Sequence, residues 1–254
     1  MTAASEAGPL AGVRVVELGN YIAAPTTGRL LADFGADVVK VERPRTGDEL
    51  RRWRLRSGTT SMLHRTINRS KRSIVADLRT DEGRDLVLDL VRGADVLLEN
   101  FRPGTLERWG LDPAALEAAN PDLVVVRISA FGQTGPLAPR PGFAAVAEAA
   151  GGFRELVGEP GRAPSRTGVS IGDTIAGLYG AFGAVMALLE RETTRASRGE
   201  AHLAMDRRTI DVALNEAMLS VTESLVPEWS AYGVRRERTG GRMEGIAPSN
   251  AYLC

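Results

Sequence analysis

Residues 13–41 read VRVVELGNYIAAPTTGRLLADFGADVVKV, which is two short apolar runs separated by a helical pattern. The first run, Val13–Leu18, is rich in β-branched residues and flanked by glycines, which predicts a buried strand. Thr26–Phe34 places apolar side chains on one helix face, and Gly35 follows where a helix often ends. Asp37–Val41 is the second predicted strand. The stretch therefore predicts a βαβ unit with parallel strands.

The same alternation continues along the chain. Ser73–Leu78, Ala94–Leu98 and Leu123–Ile128 are short apolar runs that predict further strands. Asp81–Arg92 and Asp112–Ala119 have helical spacing, and the second begins with an Asp-Pro pair suited to a first turn. Strands that alternate with helices in this way indicate an α/β domain with a doubly wound sheet.

The rest of the chain is less regular. After a loop rich in glycine and proline, we predict helices at Ala144–Ala150, Asp173–Glu190 and Ile210–Leu225. Thr193–Glu200 is polar and typical of a loop. The segment after Pro227 is rich in arginine and glycine, and its sequence has no periodicity that predicts an element.

The composition excludes several classes of protein. The 254 residues include 32 basic and 32 acidic side chains, so the net charge is zero, which argues against a nucleic-acid-binding protein. A hydrophobic fraction of 43% is typical of a globular chain. Cys254 is the single cysteine, and His64 and His202 are the only histidines, so we expect no disulfide and no metal site.

Neither a leader nor a membrane span is expected. Met1–Gly8 lacks both the basic start and the apolar centre of a signal peptide. Thr174–Leu189 is apolar and uncharged, but it is shorter than the roughly 20 residues that a membrane-spanning helix needs. It is interpreted as a buried helix, and the chain as a soluble cytoplasmic protein.

Arginines stand at the predicted carboxyl ends of the strands, where open α/β sheets bind ligands. Arg43, Arg79 and Arg102 together suit an anion with distributed charge, such as a nucleotide cofactor, although each also fits a solvated surface position. Glu42 stands at the end of the second predicted strand, the position at which dinucleotide-binding enzymes carry an acid that binds the ribose. However, Gly19–Pro25 has one glycine where such enzymes need three, so a dinucleotide site is disfavoured.

Asp173 opens the apolar segment after the glycine-rich region and allows two interpretations. It suits the N-cap of the helix, where Asp is a favoured residue. It also suits a carboxylate nucleophile, because the neighbouring glycines leave room for a substrate. The residues alone favour the N-cap.

Four further motifs carry a family resemblance. They are Leu31–Arg43, Asn68–Ser73, Ala94–Gly104 and Gly132–Pro136. In them the chain resembles the class III CoA-transferases, the family of formyl-CoA transferase, the carnitine CoA-transferases and alpha-methylacyl-CoA racemase. The resemblance implies a Rossmann-like large domain, a small domain and a C-terminal return to the large one.

The resemblance also implies a reaction and a nucleophile. Asp173 matches the family's catalytic aspartate, which moves CoA from an acyl-CoA to a carboxylic acid through an aspartyl anhydride and an aspartyl-CoA thioester. Coenzyme A is then a substrate rather than a permanently bound cofactor. A small dicarboxylyl-CoA such as succinyl-CoA is the expected donor.

The family's CoA contacts fall on a defined set of positions here. They are Ile22, Ala23, Arg43, Arg79, Asn100, Phe101, Arg108 and, beside the acyl group, Phe143. Ile22 departs from the glutamine of formyl-CoA transferase, which disfavours oxalate or formate. Phe143 stands where the racemases carry a histidine. Because phenylalanine cannot transfer a proton, the racemase alternative is disfavoured.

The chain is shorter than the family pattern. We expect residues 1–225 to form the large domain and residues 226–254 to form a linker and the start of the small domain, with the remainder and the C-terminal return missing. A catalytically inactive CoA-binding fragment is therefore the alternative to an active enzyme. The resemblance implies an interlocked homodimer for a complete chain. For this chain, whose predicted apolar helices would lack partners, we expect poor solubility or non-specific association.

Overall fold

The computed structural model describes residues 8–199 and 202–252. The expectations for Met1–Ala7 and Cys254 concern residues outside these ranges. The strands are β1 (Arg14–Glu17), β2 (Asp37–Glu42), β3 (Arg56–Ser57), β4 (Thr60–Ser61), β5 (Lys71–Val75), β6 (Val96–Glu99), β7 (Val124–Ser129) and β8 (Thr209–Ala213). The helices are α1 (Ala23–Asp33), α2 (Met62–Ile67), α3 (Asp81–Val91), α4 (Thr105–Arg108), α5 (Pro113–Ala119), α6 (Ala144–Ala150), α7 (Ile171–Arg198), α8 (Met205–Arg208), α9 (Leu214–Ser220) and α10 (Leu225–Tyr232).

Six strands form one parallel sheet in the order β5-β2-β1-β6-β7-β8. The chain leaves β1 toward β2 and β5 on one side, then crosses to β6, β7 and β8 on the other. This arrangement is doubly wound, as predicted. Its switch point lies between β1 and β6, where Val16 pairs with both Val39 and Leu97. Ligands of open α/β sheets bind outside the carboxyl ends at such a point.

The two faces of the sheet are buried against different helices. Val15 is 1% exposed and belongs to a core with α1, α6, α7 and α9, whereas its neighbour Val16 belongs to a core with α3, α4 and α5. Successive residues of a strand point to opposite faces, so a strand covered on both sides is apolar throughout. This burial explains why the central strands have the continuous β-branched runs seen in the sequence.

Helix α7 packs unusually closely on the rest of the molecule. A Cβ atom built on Gly177 lies 2.8 Å from Thr26 Cβ, and one built on Gly180 lies 2.7 Å from Thr27 Oγ1. The Thr27 hydroxyl donates a hydrogen bond to the Gly177 carbonyl at 3.0 Å. By length and hydropathy alone, Ile171–Ser197 is apolar enough to cross a membrane. One side of it packs on α1, α9 and β7, whereas Leu178 and Phe182 on the other side are exposed, so the predicted buried helix is buried on one face only.

The elements nearest the start of the chain confirm the sequence predictions. β1, α1 and β2 form the predicted βαβ unit, and Gly35 has a φ of 102°, as a glycine that ends a helix often does. α3, α5 and α6 lie within one residue of their predicted limits. β5 covers Lys71–Val75, so its predicted range of Ser73–Leu78 began and ended too late.

Two predictions in the second half were wrong. Thr209–Ala213 is strand β8 rather than the first turn of a helix, because it pairs in register with β7 and only Leu214 begins α9. The predicted loop from Thr193 is helical as far as Arg198, since Arg195 pairs with Asp122 at 2.6 Å and anchors the polar end of α7. Helix α10 covers part of the segment that had no assigned element.

Candidate active site

Three neighbouring cavities open along the carboxyl edge of the sheet. The Asp173 cavity, of about 230 Å³, is lined by residues that follow β6, β7 and β8, including Asn100, Ala130 and Leu214. The arginine cavity, of about 670 Å³, is lined by Arg43, Arg45, Arg52 and Arg79 together with Glu49 and Asp77. A connecting cavity, of about 220 Å³, shares Arg43 and Arg79 with the arginine cavity and Phe101 with the Asp173 cavity. The three cavities therefore adjoin one another, and together they are called the groove below.

Asp173 lies in the first turn of α7 and lines the wall of its cavity. Ser170 is the residue before the helix, so the interpretation of Asp173 as an N-cap was wrong. Burial raises the pKa of the Asp173 carboxyl to about 6, the negative charge of Glu148 adds to this rise, and Arg166 opposes it. The carboxylate is therefore less strongly solvated than one on the surface, which suits a nucleophile.

Glu148 is a second buried carboxylate beside Asp173. It is 1% exposed, and its Oε2 atom accepts a hydrogen bond from Arg154 at 2.8 Å. Its Oε1 atom has no hydrogen-bond partner among the described residues. A Cβ atom built on Gly172 lies 3.4 Å from Glu148 Cγ, so the absence of a side chain there lets α6 and α7 approach. Nothing in the spacing of the sequence indicated this pair.

The loop between β1 and α1 forms the opposite wall and is held by reciprocal hydrogen bonds. The Asn20 amide donates to Asn100 Oδ1 at 2.8 Å, and Asn100 Nδ2 donates to the Asn20 carbonyl at 2.7 Å. Tyr21 has a φ of 63°, in the left-handed region, and its amide donates to Asp48 Oδ1 at 3.2 Å. Asn100, predicted to contact CoA, therefore also fixes the shape of the wall.

A buried network of ion pairs between lysine and carboxylate side chains holds this loop in place. Lys40 Nζ lies 2.8 Å from Glu17, 2.9 Å from Asp48 and 2.5 Å from the Gly19 carbonyl. Lys71 Nζ lies 2.7 Å from the other oxygen of Glu17. Burial lowers the pKa of the Lys71 ammonium to about 8, whereas that of Lys40 stays above its ordinary value because Glu17 and Asp48 outweigh burial. The chain's two lysines thus fold the site rather than face a ligand.

The arginines predicted at the strand ends lie at the far end of the groove. Arg43 pairs with Glu49, and Arg79 pairs with Asp77 at 2.7 Å. Arg45 and Arg52 line the same cavity, although no pattern in the sequence singled them out. Four guanidinium groups around one opening suit phosphate groups, which guanidinium binds in a fixed fork. Glu42, by contrast, is buried and paired with Arg51 at 2.6 Å, so it does not face the groove.

Of the remaining predicted CoA contacts, some line the Asp173 cavity and others do not. Ala23 and Phe143 line the Asp173 cavity, and the Phe143 ring packs edge to face on Tyr21 with centroids 5.8 Å apart. Ile22 is 5% exposed and belongs to the buried core. Within the part of the chain that the structure describes, it does not line the Asp173 cavity. Arg108 is exposed, and its Nη2 donates to Thr105 Oγ1 at 2.9 Å. The fold therefore brings six of the eight predicted contacts to one groove with Asp173.

Comparisons with known proteins agree with this geometry. The model of the CoA-transferase family III matches residues 10–254. A succinyl-CoA–D-citramalate CoA-transferase of Chloroflexus aurantiacus is 46% identical over 245 residues, which are 96% of this chain and 58% of that protein. A succinate–glutarate CoA-transferase of Agrobacterium fabrum is 37% identical over 247 residues, which are 94% of this chain and 59% of that protein.

A solved structure gives the same result. The crystal structure of a CAIB/BAIF family protein from Brucella suis superposes with a TM-score of 0.86 at 39% identity, covering 96% of this chain and 63% of that one. The chain thus spans less than two thirds of the length of each of these relatives. Within that span the match is nearly continuous, and the chain belongs to the CoA-transferase family III.

Proposed function

We propose that the protein is a soluble, cytoplasmic CoA-transferase that moves CoA from a small dicarboxylyl-CoA, such as succinyl-CoA, to a carboxylic acid. The observation that carries this proposal is the groove that joins Asp173 to the arginine cavity. Its charges suit a thioester beside Asp173 and phosphates beside the arginines. The names of the relatives, two of which use succinyl or succinate groups, support the choice of donor.

In this proposal Asp173 is the nucleophile. Its carboxylate attacks the thioester carbonyl, CoA leaves as the thiolate, and a mixed aspartyl-acyl anhydride forms. The thiolate then attacks the aspartyl carbonyl, which releases the donor acid and leaves an aspartyl-CoA thioester. The acceptor carboxylate attacks this thioester and expels the CoA thiolate, which gives a new anhydride. The thiolate then attacks the acyl carbonyl of this anhydride, which forms the new acyl-CoA and frees the Asp173 carboxylate. The overall reaction exchanges one thioester for another of similar energy, and the covalent relay divides this transfer into separate steps.

Other residues of the cavity have supporting roles in the proposal. Asn100 and the loop that it holds form the wall beside the thioester, and Phe143 and Tyr21 form an apolar cover. An apolar cover excludes water, which would otherwise hydrolyse the anhydride and the thioester. Arg43 and Arg79 bind the phosphorylated end of CoA. A racemase is disfavoured because Phe143 supplies no acid or base.

Trapping of the intermediates tests the nucleophile. The protein is incubated with succinyl-CoA, treated with hydroxylamine or borohydride, digested and analysed by mass spectrometry. We expect the modification on Asp173, and we expect none in Asp173→Asn. Transfer that persists at the wild-type rate in Asp173→Ala would show that the mechanism is wrong.

A panel of donors and acceptor acids, with CoA affinity measured in parallel, tests the reaction itself. We expect turnover with small dicarboxylyl-CoA donors. CoA binding without any turnover would favour the alternative of a CoA-binding chain that does not catalyse transfer.

A further inference from the structure

Two arginines in the wall of the Asp173 cavity have no role in the proposed mechanism. Arg140 and Arg102 both line the cavity and are exposed. Within residues 8–199 and 202–252, neither side chain forms an ion pair or a hydrogen bond, in contrast to Arg43 and Arg79 in the arginine cavity. The cavity thus offers two free guanidinium groups beside a carboxylate nucleophile.

The two arginines differ in the residues beside them in the chain. Arg102 directly follows Phe101, which the Asp173 cavity shares with the connecting cavity. Arg140 is followed closely by Gly142 and Phe143, which line the Asp173 cavity and neither of the other two. Arg140 is therefore the better candidate for a contact with the acyl group.

A dicarboxylyl thioester creates an electrostatic difficulty in this cavity. Its free carboxylate would come close to Asp173, which already has Glu148 as a negative neighbour and Arg166 as a positive one. Like charges that are partly shielded from water repel strongly, so a cation is needed to bind the second carboxylate. A guanidinium group fits a carboxylate with two parallel hydrogen bonds, which gives both affinity and direction.

We infer that Arg140 binds the free carboxylate of the dicarboxylyl group and so selects dicarboxylyl-CoA over monocarboxylyl-CoA thioesters. This inference rests on the proposed function, because it requires an acyl-CoA in the groove. The same contact serves the donor and a dicarboxylic acceptor, since each occupies the position next to Asp173 in turn. An arginine that contacted a CoA phosphate would instead bind both kinds of thioester equally.

Calorimetric titration with succinyl-CoA and with butyryl-CoA tests this role, because the two acyl groups have the same length and differ in the terminal charge. All proteins carry Asp173→Asn so that no covalent intermediate accumulates. We expect the parent to bind succinyl-CoA more tightly by about tenfold or more, the contribution of a charge-assisted pair. Arg140→Gln should lose this preference and keep its affinity for butyryl-CoA.

Two matched variants serve as controls. Arg162→Gln removes an exposed arginine outside the three cavities and should keep the preference. Arg102→Gln should also keep it, and loss of the preference in that variant alone would assign the role to Arg102 and overturn the inference.

Three further outcomes are informative. If Arg140→Gln lost affinity for both thioesters equally, Arg140 would contact a CoA phosphate, and the inference would be overturned. Equal binding of the two thioesters by the parent would also overturn it, while leaving the proposed function in place. Failure of the parent to bind either thioester would contradict the proposed function itself.

Discussion

Asp173 is expected to give the reaction its dependence on pH. Its pKa is raised to about 6 by burial and by Glu148, and only the ionised carboxylate is nucleophilic. The rate of covalent labelling by acyl-CoA should therefore fall about tenfold for each pH unit below 6 and level off above it. Labelling rates measured by mass spectrometry between pH 4.5 and 8 check this.

Replacement of Glu148 isolates its contribution to that profile. Glu148→Gln removes a buried negative charge and keeps a side chain that accepts a hydrogen bond from Arg154. The pKa of Asp173 should fall, so the acid limb moves to lower pH and labelling at pH 5 increases severalfold. Glu155→Gln, at an exposed position, is the control and should leave the profile unchanged. An acid limb that does not move in Glu148→Gln would exclude this coupling.

The same shift has a consequence for stability. The pKa of Asp173 is about 6 in the folded chain and 3.8 by reference, so the folded state binds this proton more tightly than the unfolded state does. Stability from this group is therefore present below about pH 4 and is lost as pH rises through 6. Asp173→Asn should raise the free energy of unfolding at pH 7.5 by roughly 1–2 kcal/mol, after allowance for solvent screening. Urea unfolding at pH 7.5 and at pH 4 checks this. An equal gain in the free energy of unfolding at pH 4 would contradict it.

The candidate site shows which features a single sequence reveals at the level of residues. Asp173 could be proposed as the nucleophile because the family resemblance assigns that role to its position. Tyr21 was not, because its left-handed backbone and its bond to Asp48 depend on a contact between separate loops. Glu148 and Lys40 were missed for the same reason: each acts on the site through a neighbour distant in the chain.

At the scale of elements, local signals explain both the successes and the failures. β1, α1 and β2 were predictable because their apolar runs are short and are separated by glycine or proline. β8 was missed because α9 follows it without a turn, so that one apolar run covers a strand and a helix. The end of α7 was missed because its polar residues are held by partners such as Asp122, which no local pattern contains.

The contact between α7 and α1 sets the position of Asp173 relative to Ala23. Gly177→Ala would place a Cβ atom 2.8 Å from Thr26 Cβ and 2.9 Å from the Ala23 carbonyl, closer than real Cβ contacts. The helices must therefore separate, and we expect a loss of about 1–3 kcal/mol in the free energy of unfolding together with weaker CoA binding. Gly168→Ala, where a Cβ atom meets nothing within 4 Å, is the control. Urea unfolding and calorimetry measure both effects, and an unchanged Gly177→Ala would show that the contact is not tight.

At the scale of the whole molecule, one helix face stands out. Leu178, Phe182, Val185, Met186 and Leu189 of α7 are between 38% and 66% exposed. Their spacing places them on one side of the helix, opposite the glycines that face α1. A continuous apolar strip of this kind is unusual on the surface of a monomer and is typical of an interface.

We therefore expect the chain to associate with a second copy of itself through this strip. Phe182→Ser should weaken association by removing the most exposed side chain of the strip, which is 66% exposed. Leu55→Ser changes a residue that is 82% exposed and lies outside the strip, so it should leave association unchanged. Light scattering coupled to size-exclusion chromatography, over a range of protein concentrations, measures the difference. A wild-type chain that stays monomeric and unfolds cooperatively would contradict this prediction, because the strip would then be compatible with a self-sufficient monomer.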